Sequence, residues 1–167
     1  LSGNHTYTQA TTVAAGTLTL ADGGVLNSVV TVNNGATFQL EGGSTYGAAS
    51  LAGEGSIIKT GSGIAQLTAA TTVSSLDIQE GFVQTGAETA TISTLTVAAG
   101  TGFAYDLAAG QKKVVAEGFD GPITLKLISL ANGTFELMQG AAGMDESDVN
   151  FEYSVGSRVQ VNTSVVD

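Results

Sequence analysis

Between Leu51 and Gln84 the chain reads LAGEGSIIKTGSGIAQLTAATTVSSLDIQEGFVQ, and this stretch limits the possible folds more than any other. Glycines at 53, 55, 61, 63 and 81 cut it into short runs of alternating residues. Their period of two marks strands; the runs are too short for hairpins and wrong in period for helices. Each run offers only one or two apolar side chains to a core. Such a strand cannot bury a face alone and must stack on copies of itself.

Four segments superimpose: Thr12-Val13-Ala14-Ala15-Gly16, Thr31-Val32-Asn33-Asn34-Gly35, Asp77-Ile78-Gln79-Glu80-Gly81 and Thr96-Val97-Ala98-Ala99-Gly100. Their glycines are 19, 46 and 19 residues apart, which gives a turn of about twenty residues with the middle gap holding two. The expected fold is all-β, a right-handed parallel β-helix closed by C-terminal capping strands. In each segment the valine or isoleucine points inward, and two residues turn a corner. The structural turn glycine (Gly16, Gly35, Gly81 or Gly100) then takes a backbone angle that a side chain would penalise. Val13, Val32, Ile78 and Val97 should therefore occupy equivalent buried corners. Inward positions continue at Leu18, Leu20, Phe38, Leu40, Val83, Phe103, Tyr105 and Leu107. Tyr46 and Phe82 are also expected mostly inside. Thr17, Thr19, Thr31, Thr37, Thr94 and Thr96 flank the strands and should form outward ladders.

The period fades after Gly110. Residues 1–110 read as β-helix turns, and residues 111–167 as a C-terminal continuation or cap in the same domain. Gln111-Lys112-Lys113 is a polar break. Beyond it come longer strands near Ile123–Ile128, Gly133–Met138, Val149–Tyr153 and Arg158–Val161, some of them candidates for antiparallel pairing. A solenoid needs such a cap, because an open last turn exposes apolar core and an unpaired edge. Ala141–Asp148 is the one loop with a helical turn.

The motif Gly53-x-Gly55-x-Ile57-x-Lys59-Thr60-Gly61-x-Gly63, followed by Thr71-Thr72-Val73 and Gly81-x-Val83, resembles the autotransporter-associated β-strand repeat of secreted bacterial surface proteins. Ser2-Gly3-Asn4-His5-Thr6-Tyr7-Thr8 and Thr11–Leu20 supply the complementary half. Together they cover roughly a third of the chain. The second copy departs from the pattern at Ile64-Ala65-Gln66-Leu67 and lacks an Asn-Thr-Tyr element before Thr71. The resemblance implies a non-catalytic structural or adhesive segment of an autotransporter-like passenger, located extracellularly or on the bacterial outer-membrane surface. The chain begins at Leu1 in mid-motif, and we expect it to be a piece of something longer. Its partners would be flanking parts of that chain and host or environmental glycans or proteins. The alternative is a carbohydrate-binding or carbohydrate-active β-helix.

The composition narrows the chemistry. Fifteen acidic residues against five basic ones give a net charge of −10, which argues against nucleic acid and anionic lipid as partners. There is no cysteine, and hence neither disulfide nor thiolate site. No apolar run approaches the ~18 residues of a membrane helix. A glycosidase needs two carboxylates about 5–10 Å apart, and adjacent turns could bring Asp77 or Glu80 near Glu54 or near Glu88. Each sits singly at a predicted turn, where solvation is the ordinary role. Lys59 and Arg158 are isolated bases. His5 is the sole histidine, so any histidine-based zinc site or Ser-His-Asp triad would depend on it. The acids of Asp145-Glu146-Ser147-Asp148 are close together but lack the spacing of a calcium loop. Gly53-x-Gly55 and Gly61-x-Gly63 precede no helix and are turns, not phosphate cradles. The Thr-x-Thr pairs are too few for an ice-binding array. We expect no enzyme activity, no cofactor and no metal.

Overall fold

The computed structural model describes residues 1–48, 50–111, 113–129, 131 and 134–153. After β1 (Asn4–His5) come β2 (Thr11–Val13), β3 (Thr17–Leu20) and β4 (Val25–Leu26), then β5 (Val30–Val32), β6 (Thr37–Glu41) and β7 (Thr45–Tyr46). From there two strands make each turn: β8 (Ser50–Thr60) and β9 (Ile64–Leu67), β10 (Ala70–Ile78) and β11 (Phe82–Thr85), β12 (Ala90–Val97) and β13 (Gly102–Asp106). The last are β14 (Val114–Asp120) and β15 (Ile123–Ser129), then β16 (Met138–Ala142) and β17 (Val149–Tyr153). The chain is a parallel β-solenoid of about seven turns. One sheet runs β1-β4-β7-β9-β11-β13-β15-β17, and the other runs β2-β5-β8-β10-β12-β14-β16 with β3 and β6 alongside. The only helical pieces among the described residues are two 3-10 turns, at Leu107–Ala109 and Glu146–Asp148.

Thr11, Val30, Leu51, Thr71, Ala90, Val114 and Met138 stand in register, so successive turns take 19, 21, 20, 19, 24 and 24 residues. The lengthening accounts for the loss of sequence period after Gly110. The pairing itself does not change: β13, β15 and β17, like β12, β14 and β16, are all parallel. The antiparallel strands considered for the C-terminal part are absent among the described residues, because turns of constant direction keep every new strand parallel to its predecessor. Arg158–Val161 lies outside the described residues.

Inward columns fill the interior. Leu18, Phe38, Ile57, Leu76, Leu95 and Phe119 are stacked partners, and the four in the middle are at most 1% exposed. Dry, like-on-like stacking at ~4.8 Å is what a strand with one or two apolar residues requires. Val13, Val32, Ile78 and Val97 are all buried. They do not share one corner, however. Val13 pairs with Val32, whereas Ile78 pairs with Val97 and its column continues through Lys59 and Leu40 to Leu20.

Gly16 and Gly35 accordingly turn the corner from β2 to β3 and from β5 to β6, while Gly81 and Gly100 turn from β10 to β11 and from β12 to β13. The second corner has its own left-handed glycines, one in each turn: Gly23, Gly42, Gly61, Gly81, Gly100 and, stacked on Val97, Gly121. The gap of 46 is therefore seven residues across one strand, from Gly35 to Gly42, followed by two turns to Gly81. The first corner disappears after two turns. Six positions separate Thr31 from Thr37, but only three separate Thr72 from Ser75, so β10 passes the corner as a continuous strand with one irregularity at Val73–Ser75.

Tyr46 and Tyr105 place their hydroxyls inside. The Tyr46 hydroxyl accepts from the Val30 amide (2.9 Å) and donates to the Ser50 carbonyl (2.7 Å), with its ring edge-on to Phe38 at 5.5 Å. Tyr105 donates to the Leu137 carbonyl at 2.7 Å. Burial disfavours both phenolates, pushing Tyr46 up to about 12 and Tyr105 further up. The unfolded chain releases these protons first as pH rises past the ordinary value of 10, so stability should fall between pH 10 and 12. Tyr46→Phe should lose about 1–3 kcal/mol at neutral pH through the orphaned Val30 amide. It should also flatten the alkaline loss, measured by urea unfolding at a series of pH values. An unchanged alkaline slope would contradict this account.

Candidate functional site

No strand pairing sets one of the acids proposed from the sequence opposite another. Asp77 points outward from β10, pairs with Ile58 and Thr96 on the adjacent turns, and accepts from the Gln79 amide at 2.6 Å. Glu54 is exposed between Gly53 and Gly55. Glu80 and Glu88 are exposed at opposite ends of β11. No acid stands next to Asp77 in the ladder, so the register opposes no pair of carboxylates there. His5 lies half-buried in β1, its ring 6.3 Å from that of Tyr7 and its Nε2 buried without a partner. Among the described residues no three His, Asp or Glu side chains are grouped as a metal site would need.

The Asp145–Asp148 loop uses its carboxylates on its own backbone. Asp145 accepts from the Ser147 hydroxyl and from the Ser147 amide, and Asp148 accepts from the Asp145 amide, forming a capping box. The hydrogen bonds from Ser147 hold the Asp145 carboxyl below its usual range. Arg158 lies outside the described residues.

Lys59 is not a solvated base. It is fully buried in the inward column between Leu40 and Ile78. Its ammonium donates to the carbonyls of Thr60 (2.7 Å), Gly61 (2.5 Å) and Glu80 (3.1 Å), and so ties the glycine corner of one turn to that of the next. Burial lowers its pKa, against an opposing influence from the Glu80 and Asp22 carboxylates. The signal was present in the sequence: with Ile57 inward, period two makes Lys59 inward as well. Phe82 is the converse case. It shares the outward side of β11 with Gln84, opposite inward Val83, and is covered by the Lys126 ammonium 4.9 Å from its ring centre. Lys126 in turn pairs with Glu152 at 2.5 Å.

The outward face of the long-strand sheet carries a hydroxyl ladder, Thr17-Thr37-Ser56-Ser75-Thr94, with the Ser75 hydroxyl donating to Ser56 at 2.8 Å. The neighbouring column, Thr19-Gln39-Ile58-Asp77-Thr96, is chemically mixed. An amide relay runs across its first turns, from Thr19 to Gln39 and from Gln39 to Thr60.

The other sheet holds a cleft of about 190 Å³ over the ends of β9 and β11. Gln66, Thr68 and Gln84 line one side, Gly86 and Ala87 the next corner, and Ala109 and Gln111 the far wall. That wall is fixed. Gln111 donates to the Thr85 hydroxyl (3.0 Å) and the Ala104 carbonyl (3.1 Å), and accepts from the Asp106 amide (2.9 Å). Asp106 also caps Ala109 at 3.1 Å. This folded-back loop buries the otherwise outward Ala104, and it places Leu107 in a 3-10 turn, not in a strand. Comparison of the chain with known protein families, with curated proteins and with solved structures found no match.

Proposed function

We propose that the chain is a rigid structural segment of a secreted or surface-exposed bacterial passenger, a spacer that folds outside the cell and presents adhesive surface. The observation that carries this reading is the unbroken parallel pairing of eight strands in one sheet, in which every inner turn has its core completed from both sides. An element built this way is stiff along its axis and grows by adding turns. The resemblance of Gly53–Gly63 and its flanking strands to autotransporter-associated repeats supports the cellular setting. The register, which sets none of Asp77, Glu80, Glu54 and Glu88 opposite another, supports a role without catalysis.

The test is export. Fused ahead of an outer-membrane translocator barrel in a Gram-negative host, the chain should reach the cell surface in a protease-resistant form. Cells displaying it should adhere to coated surfaces more than cells displaying the barrel alone. Retention in the periplasm, or display without any gain in adhesion to glycan- or protein-coated surfaces, would refute the corresponding half of the proposal.

A further inference from the structure

We propose that the cleft beside the Leu107–Gln111 loop is a binding site for one neutral pyranose unit of a glycan. Gln66 and Gln84 stand in register on adjacent turns, facing outward, and neither amide has a hydrogen-bond partner among the described residues. Gln39, Gln79 and Gln111 are engaged within the protein, whereas Gln9 and Gln139 also have free amides but line no part of the cleft. Their strands are held ~4.8 Å apart by the sheet, so the two side chains rise side by side into the cleft. Each offers an acceptor oxygen and two donor hydrogens, the combination that matches adjacent sugar hydroxyls, which both give and accept.

Size and charge narrow the ligand further. The cleft has the volume of about six waters at roughly 30 Å³ each, enough for one six-membered sugar ring. None of its lining side chains is ionised at neutral pH, and the chain carries −10 overall, so anionic sugars are disfavoured. The small apolar walls at Gly86, Ala87 and Ala109 can take the C–H face of a ring, though without an aromatic platform the affinity will be low. A peptide adding itself as a strand is excluded here, because β9 and β11 are already paired on both edges. Because Gln111 is pinned by three hydrogen bonds, the far wall of the cleft is formed before ligand arrives.

The site stands or falls independently of the spacer role. The experiment is two-dimensional NMR on the intact ¹⁵N-labelled chain, titrated separately with the methyl glycosides of glucose, galactose and mannose, with N-acetylglucosamine, with glucuronate and with glycerol. At least one neutral pyranose should shift the Gln66 and Gln84 side-chain amides saturably, with a dissociation constant of the order of 1–10 mM. Glucuronate should bind at least about tenfold more weakly, and glycerol should not saturate. Gln66→Ala and Gln84→Ala should each weaken binding about tenfold with thermal unfolding unchanged, and Gln84→Glu, which keeps the shape, should do the same. The proposal is overturned if no neutral pyranose saturates both amides, if glycerol or glucuronate matches the sugars, or if binding survives in the Gln66→Ala/Gln84→Ala chain.

Discussion

Lys59→Ala should lower the unfolding free energy by about 4 kcal/mol, since it empties a core position between Leu40 and Ile78 and strips a donor from the Gly61 and Glu80 carbonyls. Lys59→Met separates these effects. It keeps an unbranched stem in the column and removes only the ammonium, and it should cost about 1–2 kcal/mol because the Thr60 carbonyl retains the Gly42 amide at 2.8 Å. A methionine chain as stable as the parent would mean that the three hydrogen bonds do not offset the desolvation of the charge. The pH dependence supplies a second check. Burial lowers the Lys59 pKa, so the folded chain gives up this proton at a lower pH than the unfolded chain does. The unfolded state then binds more protons, and the contribution of this group rises with pH up to the ordinary value of 10.5. The stability difference between parent and Lys59→Met, followed from pH 7 to 10 by urea unfolding, should therefore widen in favour of the parent.

Gly53→Ala should be the most damaging glycine substitution in the first three turns, costing about 4 kcal/mol or more and yielding largely insoluble protein. A β-carbon there would lie 2.0 Å from the Val32 carbonyl oxygen, at a φ of 136°. Relief requires β8 to move away from β5, which breaks the ladder between two turns. Gly16→Ala is the informative partner. Its φ is 71°, but nothing lies within 4 Å of the added carbon, so only the left-handed backbone is penalised, by about 1–2 kcal/mol. Gly81→Ala belongs between them, with the Gly63 carbonyl oxygen 2.4 Å away. Equal losses at Gly16 and Gly53, measured as unfolding midpoints of soluble protein, would show that inter-turn contact is not what Gly53 serves.

The architecture was legible because period two and a recurrent glycine are local signals that stacking converts directly into structure. The alignment of corners was less legible. Val13-Ala14-Ala15-Gly16 and Val97-Ala98-Ala99-Gly100 have the same chemistry, because any solenoid corner needs an inward aliphatic, two turn residues and a left-handed glycine. Sequence alone does not tell one corner from another; the register of β6 with β8, and of β8 with β10, does. Lys59 reads from the sequence only as an isolated base. Residue type favours solvent and position favours the core, and three backbone carbonyls decide for position. The Gln66–Gln84 cleft had no sequence signal, since its far wall comes from a loop more than twenty residues along the chain.

Chain length is not accommodated evenly around the solenoid. The connections β4–β5, β7–β8 and β9–β10 use three, three and two residues, whereas β13–β14 and β15–β16 use seven and eight at the same corner. Those insertions leave the register of the long-strand sheet intact, as the pairing of Val114 with Ala90 and with Met138 attests, and the other sheet shifts only at Tyr105–Asp106, where the first insertion starts. Opposite them, the connections from β3–β4 to β14–β15 stay between two and four residues, and at Gly42, Gly61, Gly81 and Gly121 an added β-carbon would meet atoms of the adjacent turn. The molecule thus has a conserved-length spine and a free-length flank. Guest peptides grafted into the flank at Ala87–Glu88, both exposed, would be carried outward without disturbing the stack, and the same graft beside Gly81 would arrest it.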